Sequence, residues 1–202
     1  MRGQVDPDAG MPAVAQAPAD AVIPALREGL VNLEDQQDRY VLPGVSSPQM
    51  MAAHEHAWPR VAAGLGTLAR GSMGTAVLLD LGRVGSAVEA TALLEVADMV
   101  LVICRATLSS LVSASHAASH LKGLAARGEC PELVGCLLVA DGPYTAREVE
   151  ESLEVPVIGA LACDPTSAAV FSHGRIPGRG FTRSPLLRSA AGVAVDLAAY
   201  LS

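Results

Sequence analysis

Apolar residues follow two rhythms along this chain. Short unbroken runs, at 75–79, 99–104, 133–139 and 155–161, alternate with longer stretches in which apolar residues recur every third or fourth position. Unbroken runs of this length mark strands buried on both faces of a parallel sheet; the longer spacing marks helices with one apolar face. The first run, Thr75-Ala76-Val77-Leu78-Leu79, ends on Asp80 and turns through Gly82 and Gly85. It predicts a buried parallel strand that carries Asp80 to its carboxyl end, the edge of an open α/β sheet where ligands sit. The plain alternative is a strand closed by an ordinary turn aspartate.

The helices announce themselves by their caps. Ser86-Ala87-Val88-Glu89 and Thr145-Ala146-Arg147-Glu148 are capping boxes, the first opening a helix to about Val96 and the second a short acidic one. Leu108, Leu111, Val112, Leu121 and Leu124 predict a helix over 108–127; Ser184-Pro185 opens a last one, with Leu186, Leu187, Ala190, Val193, Ala194, Leu197 and Leu201 as its stripe. Upstream, residues 17–39 predict one or two short helices, 39–44 a strand and turn, and Ser46-Ser47-Pro48 a helix that breaks near Trp58-Pro59 and resumes to Ala69. Pro156 near the start of its run predicts an edge strand. Strands alternating with helices give an α/β fold, a mostly parallel sheet with helices on both faces, in a single domain over 1–202 without repeat or dividing linker.

Composition narrows the classes. Half of the 202 residues are apolar and 17% are charged, which excludes a disordered chain. The net charge is −7 and Lys122 is the only lysine, which argues against a broad nucleic-acid surface, although Arg175, Arg179, Arg183 and Arg188 cluster late in the chain. No apolar run reaches bilayer length and no leader pattern opens the chain, so a cytoplasmic location is expected. The final helix lacks a basic amphipathic face, so membrane attachment through it is not expected. Cys104, Cys130, Cys136 and Cys163 form no C-x-x-C pair and are expected as small buried hydrophobes.

Candidate chemistry begins with four carboxylates just after predicted strands: Asp8, Asp80, Asp141 and Asp164. Brought to one edge, they suit a hydrated magnesium ion; singly, each is also a good turn residue. His116 and His120 lie four apart on one helix, a metal pair lacking an evident third ligand or a solvated face. His54 and His56 read as surface residues, and no G-x-S-x-G elbow is present.

The order of segments resembles a known family. Val5-Asp6-Pro7-Asp8-Ala9-Gly10, Leu42-Pro43-Gly44 with Ser47-Pro48, Leu78-Leu79-Asp80-Leu81-Gly82, Leu138-Val139-Ala140-Asp141, and Val155–Gly159 with Cys163-Asp164-Pro165 follow one another as in MinD/ParA-like ATPases. These are the deviant Walker A, SIMIBI-type branch of P-loop proteins, and the likeness is to their CpaE/TadZ-like members of pilus and secretion systems. It implies a P-loop NTPase-like fold, ATP and Mg²⁺ as cofactors, and a homodimer or protein partner. It also implies site roles: Asp8 as the switch aspartate and Asp80 as the Walker B aspartate near the metal, Gly82 and Gly85 in the second switch, and Asp141, Asp164 and Pro165 near the base.

One departure outweighs these matches. The family's first strand and glycine-rich loop, whose amides, lysine and Ser/Thr hold phosphates and magnesium, precede the segment matched by Val5-Asp6. No G-x-x-x-x-G-K-[ST] occurs here. The resemblance therefore implies a domain truncated at its N-terminus, by real loss or by a misplaced start, with poor or no ATP hydrolysis. A synthetase-like P-loop ligase needs the same loop. A receiver- or flavodoxin-like interaction domain accounts for the strands but not for the motif order.

Overall fold

The computed structural model describes residues 10–33, 39–45, 47–71, 76–82 and 91–201. They fall into two compact units, Met1–Ala97 and Asp98–Ser202. Asp8, Gly85 and the Ser86–Glu89 capping box lie outside the described residues.

The first unit is built mainly from helices. These are α1 (Met11–Gln16), α2 (Val22–Glu28), α3 (Pro48–Ala53), α4 (Trp58–Gly71) and α5 (Thr91–Leu94). A 3-10 turn at Glu55–Ala57 makes the break expected near Trp58, and α5 is the described part of the helix expected to run to Val96. The residue pair β1 (Val31–Asn32) matches β2 (Tyr40–Val41) antiparallel, a ladder too short to show as alternation in the sequence. Val14, Leu26, Trp58, Val61, Leu65 and Leu93 form the core. Gly64 permits the tightest contact in it. A Cβ there would come within 2.9 Å of Val22 and 3.0 Å of Leu26, so α2 and α4 meet over a bare backbone. The fold also joins two of the quoted segments: the Met11 amide donates to the Pro43 carbonyl at 2.8 Å, and Gly10, at φ 82°, lies flat on Pro43.

The run expected to be a buried strand is not one. Residues 76–82 belong to no strand or helix and are exposed, with Leu78 at 93%. Apolar side chains favour burial, but a strand also needs a neighbour for its amides and carbonyls. Among the described residues no backbone hydrogen bond joins this segment to another strand.

The second unit follows the expected pattern closely. Its elements are β3 (Val100–Arg105), α6 (Leu108–Ala126), β4 (Val134–Ala140), α7 (Ala146–Leu153), β5 (Val157–Ala162), α8 (Pro165–His173) and α9 (Pro185–Tyr200). The three strands are parallel in the order β3-β4-β5, with Arg105 opposite Val139 and Ala140 opposite Ala162. Pro156 immediately precedes the edge strand β5, and its carbonyl accepts from the Cys136 amide. Val102, Cys104, Val134, Cys136 and Leu138 are buried along the strands. A Cβ on Gly159 would come within 2.7 Å of Val193, so α9 packs directly on the backbone of β5, while α6 packs against β3. Thus helices pack on both faces of the sheet, as expected.

Chemistry in the sequence explains the helix ends. Thr145 and Glu148 close a complete capping box: Thr145 Oγ1 accepts from the Glu148 amide, and Glu148 accepts from the Thr145 amide at 2.8 Å. Val149 and Leu153, four apart, are fully buried and dock this otherwise acidic helix, each contributing roughly 1.5–3 kcal/mol. Cys104 and Cys136 are buried with sulfurs 3.5 Å apart, and burial pushes both thiols up. Cys163 departs from the expectation of a buried hydrophobe: it lies past the end of β5 and is exposed.

Candidate functional site at the carboxyl edge of the sheet

Parallel strands bring their carboxyl ends to one edge. In the second unit that edge carries Arg105 at the end of β3, Asp141 after β4, and Asp164 after β5. Arg105 Nη1 donates to Asp141 Oδ2 at 2.7 Å, so the carboxylate expected to await a ligand is paired. Both side chains are solvent-exposed, and such a pair contributes only about 0–1 kcal/mol. The Arg105 amide donates to Ser110 Oγ at 2.9 Å, which ties the strand end to the first turn of α6. Beside them Gly142 rests against the Ala106 backbone so closely that a Cβ would overlap the carbonyl group. The β3 and β4 ends are therefore in backbone contact.

Asp164 is the N-cap of α8. Its Oδ1 accepts from the Ser167 amide at 3.1 Å. Hydrogen bonds from the Ser167 hydroxyl first, then from the Ser167, Thr166 and Leu186 amides, hold its carboxyl below the usual range. Pro165 opens the helix at a position where a missing amide costs nothing. Next to this cap is an open cavity of about 460 Å³. Thr166, Ser167, Val170, Arg175, Arg179 and Phe181 are among the residues that line it. Phe181 also packs on Phe171, with ring centres 5.6 Å apart.

In the first unit, Asp80 turns back on its own chain. Its Oδ1 accepts from the Gly82 amide at 2.8 Å, with Gly82 at φ 75°, the local turn open to any aspartate. Lys122 Nζ pairs with Glu154 Oε2 at 2.6 Å, between α6 and the end of α7, and this pairing holds the Glu154 carboxyl low. His116 and His120 are both exposed on α6, and no group of three potential metal ligands exists among the described residues. His54 is half-buried rather than wholly at the surface.

The structure thus brings Asp141 and Asp164 to one sheet edge, as the strand pattern predicts, and adds Arg105, Arg175 and Arg179. Arg105 was open to discovery as the residue on which its apolar run ends. The cavity's arginines are two of the cluster evident in the sequence, but only the fold places them beside Asp164. Among the described residues these carboxylates do not gather into a group that could hold a metal ion. Asp80, Asp141 and Asp164 each accept a hydrogen bond from within the protein, and Lys122, the sole lysine, pairs with Glu154.

No family model matches the chain, and no curated protein sequence matches it. Solved structures do. MinD cell division protein of Aquifex aeolicus is similar over 98% of this chain and 77% of its own, with a TM-score of 0.69 at 13% identity. A ParA family ATPase of Chlorobium tepidum is similar over 96% of this chain and 80% of its own, with a TM-score of 0.66 at 16% identity. The septum site-determining protein MinD of Pyrococcus horikoshii, solved with Mg-ADP, is similar over 98% and 83%, with a TM-score of 0.57 at 16% identity. The chain shares the fold of these proteins.

Proposed function

We propose that this chain is a MinD/ParA-like protein of spatial positioning or envelope-machine assembly, of the CpaE/TadZ-like kind associated with pili and secretion. In this reading it is one cytoplasmic domain that acts through a protein partner or as a homodimer, without turning over ATP. The likeness of fold over nearly the whole chain supports the general reading. The observation that carries the non-catalytic part is the motif pattern: no G-x-x-x-x-G-K-[ST] occurs in these 202 residues, and Lys122, their only lysine, lies within α6 and pairs with Glu154. The rival reading keeps the family's roles: Asp8 and Asp80 catalytic, Asp80 on magnesium, and Gly82, Gly85, Asp141, Asp164 and Pro165 around the nucleotide.

Titration calorimetry with ATP·Mg²⁺, followed by light scattering of the same sample, separates the two. The proposal expects no saturable nucleotide binding and a stable dimer or a captured partner. Micromolar binding abolished by Asp80→Ala would overturn it. A synthetase-like enzyme requires the same phosphate contacts, so the same titration tests that alternative.

A further inference from the structure

Charge is segregated in the second unit. Between Asp164 and Asp196 the chain carries four arginines and no acid, although the whole protein has a net charge of −7. Arg175 and Arg179 lie on the loop of residues 174–180, and Arg183 lies in the 3-10 turn that follows. None of the three forms an ion pair among the described residues. The loop is bounded by Gly174 and Gly180, both at positive φ, which let it leave α8 and return sharply.

Between the two loop arginines the chain presents an apolar tip. Ile176 is 82% exposed, and Phe171, beside Phe181, is 68% exposed. Arg175, Ile176, Arg179 and Phe181 border the same cavity, so the cations and the apolar side chains share one neighbourhood. A single exposed apolar residue needs no explanation. A projecting aliphatic side chain among unpaired guanidinium groups has the two properties an anionic lipid surface rewards: charge for the headgroups and apolar area for the acyl boundary. Nucleic acid fits less well. Ile176 offers no face for stacking, and the two phenylalanine rings are packed on each other at 48°.

We propose that the loop 174–180, with Phe171 and Phe181 beside it, docks this chain on anionic phospholipid, Arg175 and Arg179 contacting headgroup phosphates and Ile176 entering the boundary region. This site is separate from the final helix, and it stands independently of the functional reading above.

The test is co-sedimentation of the full chain with vesicles of phosphatidylglycerol and phosphatidylcholine, against phosphatidylcholine alone. Binding is expected only with the anionic lipid, weakening as salt rises. Arg175→Ala and Arg179→Ala are each expected to lower affinity about fivefold, and together about 25-fold. Ile176→Ser is expected to lower it about tenfold. All three positions are exposed, and far-UV circular dichroism confirms that the variants fold. In an Ile176→Trp variant the added indole is expected to shift its emission to the blue on anionic vesicles. Equal binding to both vesicle types, wild-type binding by the variants, or an unshifted indole would overturn the proposal. So would DNA or an acidic protein bound through these arginines when vesicles are not. Inorganic phosphate at the same phosphate concentration is expected to leave vesicle binding intact; full competition would reassign the arginines to a soluble phosphate ligand and also overturn it.

Discussion

Gly142→Ala offers a sharp test of the site's geometry, because a matched control exists in the same unit. A Cβ at Gly142 would overlap the Ala106 carbonyl, and that neighbour is backbone, not a flexible side chain. Ala106 is 1% exposed, and its amide donates to the Val139 carbonyl at 3.1 Å, so it cannot retreat without opening the junction of β3 and β4. Forcing extra volume into a packed contact costs about 1–3 kcal/mol, and losing one backbone hydrogen bond adds about 0.5–1.5 kcal/mol. The expected destabilisation is therefore about 2–4 kcal/mol. With a urea dependence of about 2 kcal/mol per molar, the unfolding midpoint falls by about 1–2 M. Gly178→Ala makes the same chemical change where nothing lies within 4 Å. It is expected to leave stability within about 0.5 kcal/mol, or to raise it slightly by restricting the unfolded chain. Urea unfolding followed by far-UV circular dichroism reads both. Coincident midpoints for the two variants would refute the backbone contact, and with it the conclusion that the β3 and β4 ends touch.

Leu26→Ala, which empties a fully buried position facing Gly64, is expected to cost about 2–5 kcal/mol, read by fluorescence of the buried Trp58 in the same unit. Among the cysteines, Cys163 is exposed and the other three are buried, so an aromatic disulfide reagent is expected to titrate one fast thiol per native chain and four after denaturation; more than one fast thiol would contradict the core as described. The hydrogen bonds of Thr145 hold the Glu148 carboxyl below its ordinary value. The stability this supplies is complete above the unfolded value of roughly pH 4.3 and is lost as pH falls through the lower folded value. Thr145→Ala is expected to cost about 1 kcal/mol at neutral pH and to flatten that acid-side loss, as measured by thermal melts across pH.

Most of the second unit was legible in the sequence because its signals are local and agree. The apolar runs at 99–104, 133–139 and 155–161 became β3, β4 and β5, and the caps at Thr145 and Ser184 fell where their chemistry requires. Residues 76–81 carry the same apolar signal and form no strand. Pairing is a property of two segments, whereas an apolar run describes only one. Likewise, an aspartate after a strand has the same letter whether it caps a helix, as Asp164 does, pairs with an arginine, as Asp141 does, or awaits a ligand. Spacing places such residues at an edge; only the neighbours they meet assign their work. The contact of Gly142 with Ala106 joins residues far apart in the chain and left no local trace.

The uncovered segment 76–82 also bears on how the protein survives in solution. A run of exposed Val77, Leu78, Leu79 and Leu81, joined to no strand among the described residues, has the composition of a cross-β seed. Between Arg70 and Arg83 the only charge is Asp80. That carboxylate is expected to act as a gatekeeper against self-stacking. Replacing it with alanine therefore removes an aggregation brake along with any ligand contact, whereas Asp80→Glu keeps the charge. Comparing the soluble yield of the two variants measures how much of this protein's colloidal stability rests on one side chain.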